Sequence, residues 1–142
     1  MKIRVLLALV LVPVVSMIGQ TTSSVWDGIY TGDQAGRGEA GYAQACASCH
    51  GRQLQGGAQN PPLAGADFVA NWNGQTVGDL FEKIQTTMPA DRPGKLTPVQ
   101  NAEIVAYILQ FNKFPSGSKE LPGSIDALKS VRFEEKKSGS KL

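Results

Sequence analysis

Apolar residues recur in three blocks at helical spacing, and each block opens on a threonine. Thr31-Gly32-Asp33-Gln34 sets a cap hydroxyl three residues before a glutamine, a capping box, and predicts a helix to about Ala45. Thr76 with Asp79 starts a second helix, whose Val77, Leu80, Phe81 and Ile84 form one apolar stripe. That helix should stop before Met88-Pro89, because a residue preceding proline is pushed out of the α region. Thr97-Pro98-Val99-Gln100 starts a third, with proline at its first position. Its apolar face is Ile104, Val105, Ile108, Leu109 and Phe111, and Pro115 lies just beyond its end. Residues 51–65 carry four glycines and two prolines and are expected to form an irregular loop. A short helical turn is expected over Asp67 to Asn71. No segment alternates as a strand should, so the class is all-α.

The ends of the chain differ from its middle. Lys2 and Arg4 precede the apolar run Val5 to Val15, and no acidic residue comes before Asp27. Residues 1–19 thus carry the pattern of a signal peptide, with Val14-Val15-Ser16 or Gly19 as cleavage options and no A-x-A sequence. The run is broken by Pro13 and falls short of the roughly 20 apolar residues of a bilayer span, so an uncleaved N-terminal anchor is the second reading. Both readings export the chain to the periplasm, and only the anchor brings it to a membrane. Residues 20–30 read as a polar linker, 31–115 as the domain, and 116–142 as a C-terminal tail rich in Lys, Ser, Glu and Gly. In that tail Ser124 should cap one short helix bearing Ile125, Leu128 and Val131, and the chain beyond Glu134 is expected to be disordered. The tail holds no candidate ligand and is expected to be dispensable for the site described next.

Charge changes the picture only by exclusion. The chain has 14 basic and 12 acidic residues. Without the two basic residues of the leader the balance is even, and nothing points to a nucleic-acid partner.

The chemistry is concentrated at Cys46-Ala47-Ser48-Cys49-His50. Two cysteines at this spacing put both sulfurs on one side of a helical turn, where each can form a thioether with one haem vinyl group. The adjoining histidine is then held beneath the iron. The rival readings are a disulfide and a zinc site. Zinc needs four good ligands, and the chain holds no Cys or His beyond these three. The second axial ligand follows by elimination. Of three methionines, Met1 and Met17 lie in the leader, which leaves Met88. It sits in the polar stretch Thr86-Thr87-Met88-Pro89-Ala90-Asp91, after a helix has ended, where apolar filler is out of place. A lysine ligand or an open sixth position would be the alternatives, and a lone methionine is otherwise core filler. Two strong axial ligands leave no position for oxygen, peroxide or substrate, and a thioether raises the potential. Such a centre carries electrons.

The chain resembles class I cytochromes c over about residues 31–115. The resemblance rests on the attachment motif together with Gly38 and Tyr42 before it, and Ile104 and Tyr107 on the last helix. It implies three main helices and loops wrapped around one covalent haem c. In that family a proline carbonyl accepts from the ligand imidazole, a role that falls to Pro62 or to its neighbour Pro61. It also implies that the Trp72 indole bonds a haem propionate, with buried core as the other reading. Arg92 could neutralise a propionate or be a solvated loop residue. The stretches Pro61-Pro62-Leu63-Ala64-Gly65, Asn71-Trp72 and Thr87-Met88-Pro89-Ala90-Asp91-Arg92-Pro93-Gly94 look like those of bacterial cytochromes that accompany pyrroloquinoline quinone dehydrogenases. The resemblance implies a periplasmic electron carrier between a dehydrogenase or quinol-oxidising complex and a terminal oxidase. A haem subunit bound permanently to such a complex is the alternative. C-type haem peroxidases use two attachment motifs, and this chain has one.

Overall fold

Hydrogen bonds at three threonines begin the three long helices. In the computed structural model, which describes residues 22–136 and residue 139, α1 spans Gly32–Ala45, α4 Val77–Thr87 and α5 Pro98–Phe111. Between α1 and α4 lie two short helices, α2 at Ala47–His50 and α3 at Ala66–Trp72. A last short helix, α6, spans Ile125–Leu128. Residues 1–19, read above as signal or anchor, lie outside the described residues.

The capping chemistry is complete at two of the three sites. The Thr76 hydroxyl accepts from the Asp79 N–H at 3.1 Å, and the Asp79 carboxylate accepts from the Thr76 N–H at 2.9 Å. Thr97 and Gln100 repeat the exchange at 3.2 and 3.0 Å. At α1 only half of it forms. The Thr31 hydroxyl accepts from the Gln34 N–H at 3.1 Å, but the Gln34 side chain turns away to residue 121. Helix α4 stops as its sequence requires, with Met88 extended at φ −122° and ψ 152°.

Helices α1 and α5 cross against each other. A Cβ built at Gly38 would overlap the Glu103 carbonyl and sit 3.0 Å from the Tyr107 Cβ, so only glycine allows this approach. The Tyr42 and Tyr107 rings meet beside it with centroids 5.4 Å apart. Val77, Leu80, Phe81 and Ile84 of α4 and Ile104, Val105, Ile108 and Leu109 of α5 are all buried in one core.

The two flanking segments depart from the expected linker and tail. Ser23–Ser24 (β1) pairs in parallel with Val131–Arg132 (β2), with Ser23 opposite Val131. Val25 and Tyr30 are fully buried, and the Tyr30 hydroxyl donates to the Phe114 carbonyl at 2.6 Å. On the C-terminal side Leu121, Leu128, Val131 and Phe133 enter the core. The Gln34 amide holds residue 121 from both sides, donating to its carbonyl at 2.9 Å and accepting from its N–H at 2.8 Å. Ser124 caps α6 as expected, but the helix carries only Ile125 and Leu128, and Val131 lies beyond it in β2. Composition hid this packing because the anchors are few and widely spaced, each filling its own gap in the core.

Two outcomes follow from this architecture. A chain ending after Pro115 loses four buried side chains, each contributing about 1.5–3 kcal/mol. Its thermal midpoint should fall sharply, and Leu128→Ala alone should cost about 2–5 kcal/mol by denaturant titration. Neither change removes a candidate ligand, so the optical spectrum of whatever remains folded should be unchanged. The second outcome concerns acid. Hydrogen bonds from the Thr76 hydroxyl and N–H hold the Asp79 carboxyl below the usual carboxylate range. The lowered value means that this cap is at full strength above the ordinary Asp pKa of about 3.9 and is lost as pH falls through the folded value. Asp79→Asn should therefore flatten the stability–pH curve below about pH 4.

Candidate functional site

Helix α1 delivers the attachment motif. It ends at Cys46, whose N–H still reaches the Tyr42 carbonyl at 2.8 Å. The chain then makes the single turn of α2 and is stopped by Gly51 at φ 77°. On this turn Cys46 is half-buried, Cys49 is exposed, and His50 is only 7 % exposed. The Tyr42 hydroxyl donates to the Gly51 carbonyl at 2.8 Å, tying the turn back to α1.

The following loop folds back over the histidine. The Gly56 N–H donates to the His50 carbonyl at 2.8 Å, Gly57 to Asn60 at 2.9 Å, and Leu63 to Leu54 at 2.8 Å. Leu54 is fully buried beneath this return. A Cβ at Gly56 would lie 2.6 Å from the Asn60 oxygen and 2.8 Å from the Pro61 carbonyl carbon, and its φ is +74°. The result is a bond of 2.9 Å between His50 Nδ1 and the Pro61 carbonyl oxygen. A carbonyl can only accept, so Nδ1 carries the proton and Nε2 is left with its lone pair.

The carbonyl facing the imidazole is thus that of Pro61, which decides between the two prolines named above, against Pro62. Neighbouring carbonyls of an extended chain point apart, so only one of two adjacent prolines can face the ring. The Gly57–Asn60 and Leu63–Leu54 bonds set which one. Gly56 and Leu54 escaped the sequence reading; the Gly56-Gly57 pair was the available signal for a tight return.

The other candidate residues fall into two groups. Met88 and Trp72 are half-buried and pack against the core, as do Cys46, Ala47, Leu63, Ala64 and Leu96. The Trp72 ring lies 6.3 Å from that of Phe68. Arg92 differs. It is exposed on its loop and paired with Asp91 at 3.1 Å, so the structure does not bring it into the half-buried apolar group.

The donor set discriminates between the chemistries the motif allows. Cys46 and Cys49 are not joined in a disulfide. Burial, with Cys49 nearby, pushes the Cys46 thiol up to about 11, whereas redox C-x-x-C sites depend on a depressed thiol. Among the described residues no group of three or more His, Cys, Asp and Glu side chains is gathered as a metal cluster would need. What remains at the motif is two thiols on one turn and an adjoining imidazole whose Nδ1 is bonded to a carbonyl. These residues fit a covalently attached haem.

Fold and site together define a c-type cytochrome. Comparison with known proteins agrees: the family described as "Cytochrome C oxidase, cbb3-type, subunit III" matches residues 33–108, more than half of the sequence. The chain belongs to that family, and its cofactor is covalent haem c. Among solved structures it is similar to the sulfane dehydrogenase SoxCD from Paracoccus pantotrophus, with 22 % identity and a TM-score of 0.52. The likeness covers 76 % of this chain and 61 % of that one, and it shows the fold alone. No curated protein matches the chain. The class of work is haem-based electron transfer.

Gly56→Ala tests the loop return. The substitution strains a positive φ and meets the backbone of Asn60 and Pro61, which should destabilise the fold by about 1–3 kcal/mol in denaturant titration. The nuclear magnetic resonance signal of the His50 Nδ1 proton should shift or broaden as its carbonyl partner moves.

Proposed function

We propose that the chain is an exported single-haem electron carrier. In this reading Cys46 and Cys49 hold the haem by thioethers, and His50 Nε2 and Met88 Sδ are the axial ligands. The observation that carries it is the His50 imidazole, buried next to Cys49 with Nδ1–H donated to Pro61. When bound, haem c supplies a one-electron ferric/ferrous couple. The protein's own part is to fix the imidazole plane, raise its donor strength through the carbonyl bond, and shelter the site with apolar side chains. With both His50 and Met88 as ligands the iron would have no position free for substrate, which favours carriage over catalysis. Trp72 stands as the candidate propionate partner. Arg92 would have to leave Asp91 to act as one.

The proposed route runs in the periplasm from a dehydrogenase or quinol-oxidising complex to a terminal oxidase. The likeness of the Met88 segment to cytochromes beside pyrroloquinoline quinone dehydrogenases makes that class the first donor to try. The leader that supports export lies outside the described residues, and no helix among those described is long and apolar enough to cross a membrane. A permanently bound haem subunit is the second reading, favoured by the family's description as an oxidase subunit. Stoichiometric copurification with one complex from native periplasm or membranes would select it.

Met88 is where the proposal is most exposed to test. The ferric protein should show the weak red charge-transfer band of sulfur coordination. Met88→Ala should abolish the band, open the iron to cyanide, and lower the potential by a sizeable part of the roughly 0.8 V range that axial ligands span. If Met88 is filler, Ala costs about 2–5 kcal/mol of stability while band and potential stay where they were. That second pattern would remove both the ligand assignment and the argument for a closed iron.

A further inference from the structure

Asn101 is 0 % exposed in the first turns of α5, an unusual place for an amide. Its Nδ2 lies 2.9 Å from the Phe81 carbonyl oxygen and 3.1 Å from Gln85 Oε1, so both its protons go to α4. The reversed amide would set oxygen against the Phe81 oxygen, which fixes the orientation. Asn101 Oδ1 is buried and has no donor among the described residues. An apolar side chain would fill this space without stranding an acceptor, so packing alone does not account for an asparagine.

The amide's other connection does. Gln85, held by Asn101, donates its own Nε2 proton to the Leu96 carbonyl at 2.8 Å. Gln85 precedes Met88 by one helical turn, and Leu96 is the last residue before the Thr97 cap of α5. The relay Asn101–Gln85–Leu96 therefore joins the two ends of the segment that carries Met88. Between those ends residues 90–95 are exposed, with internal bonds from Arg92 N–H to Pro89 at 2.8 Å and from Lys95 N–H to Arg92 at 3.3 Å. Pro89 is buried and Met88 and Leu96 pack against the core, so the exposed residues 90–95 hang between anchored ends.

We propose that Asn101 and Gln85 form a clamp that keeps the Met88 segment closed and so sets how readily Met88 leaves the iron. Both are positioning residues, and the proposal rests on Met88 being the ligand. The clamp divides the work by bond: Asn101 orients Gln85, and Gln85 holds the segment.

Stopped-flow binding of cyanide to the ferric holoprotein reads the opening of this segment directly. Asn101→Ala should raise the binding rate about tenfold, the size of one lost buried hydrogen bond. Gln85→Glu keeps an acceptor for Asn101 but cannot donate to Leu96 while ionised, and it should raise the rate similarly even if Asn101→Ala folds poorly. The double variant should be no faster than the faster single one, since both act on one relay. Leu128→Ala, in α6, lowers global stability and should leave the rate within about twofold. Unchanged rates in both clamp variants would overturn the clamp, as would an equal rise in Leu128→Ala. Those results would leave Met88 ligation standing if the wild-type protein shows the sulfur band. Absence of that band in the wild type would remove the ligation and the clamp together.

Discussion

A histidine ring is held in one orientation when one of its nitrogens is bonded to a fixed backbone carbonyl, and several elements here act together to impose that bond on His50, the proposed ligand. Helix α1 ends so that α2 can make one turn, and Gly51 stops it at a φ that favours glycine. The loop then needs a second glycine, Gly56, because the returning backbone of residues 60–62 runs where a side chain would be. The return ends with the Pro61 carbonyl against Nδ1. Each step depends on the one before. If the turn rotated, the imidazole would lose its acceptor; if the loop lengthened, Pro61 would no longer face it.

That local assembly is held in place from outside. Gly38 lets α1 lie against the backbone of α5, so the helix that delivers the motif cannot slide without clashing with Glu103. The flanking segments then close around the domain. Trp26 stacks edge-on to Phe114 at 4.8 Å, Phe114 to Phe133 at 5.2 Å, and Phe133 to Phe68 at 6.0 Å. This aromatic series joins the N-terminal segment, the chain beyond α5, the C-terminal segment and α3. By comparison the surface pairs of Arg37 with Glu103 and Glu120 contribute little, because exposed ion pairs are worth about 0–1 kcal/mol. Net stabilities of domains are about 5–15 kcal/mol, so a few buried anchors in each flanking segment are a large share of what keeps the site assembled.

The helices were readable because their signals are local. Thr76 with Asp79 and Thr97 with Gln100 satisfy each other across three residues, and the stripes at Val77 to Ile84 and Ile104 to Leu109 repeat within one element. The cofactor was readable for the same reason, since its attachment chemistry lies within five consecutive residues. What escaped depends on distance. Gln34 looked like the third member of a capping box, but its amide is used on residue 121, and nothing local announces that partner. The segments around Val25 and Phe133 read as linker and tail because a sparse apolar residue looks the same whether it is buried or not. Pro61 and Pro62 could not be told apart for want of the loop's register, which two hydrogen bonds far from the prolines' own chemistry supply.

The two proposed iron ligands are therefore held by different physics. His50 sits on a short helical turn, buried, with its ring bonded to a backbone carbonyl and its own backbone carbonyl bonded to Gly56. Met88 follows the end of a helix and is half-buried, and beyond the buried Pro89 its segment is exposed over residues 90–95. Rotating His50 away means breaking the Pro61 bond of a buried ring; moving Met88 means opening a loop held by a few polar bonds and the buried Pro89. Local opening is drawn from the least buried and least bonded parts of a fold. Any exchange of ligand at this centre should therefore begin on the methionine side. The histidine side stays fixed, and with it the position of a cofactor attached through the same turn.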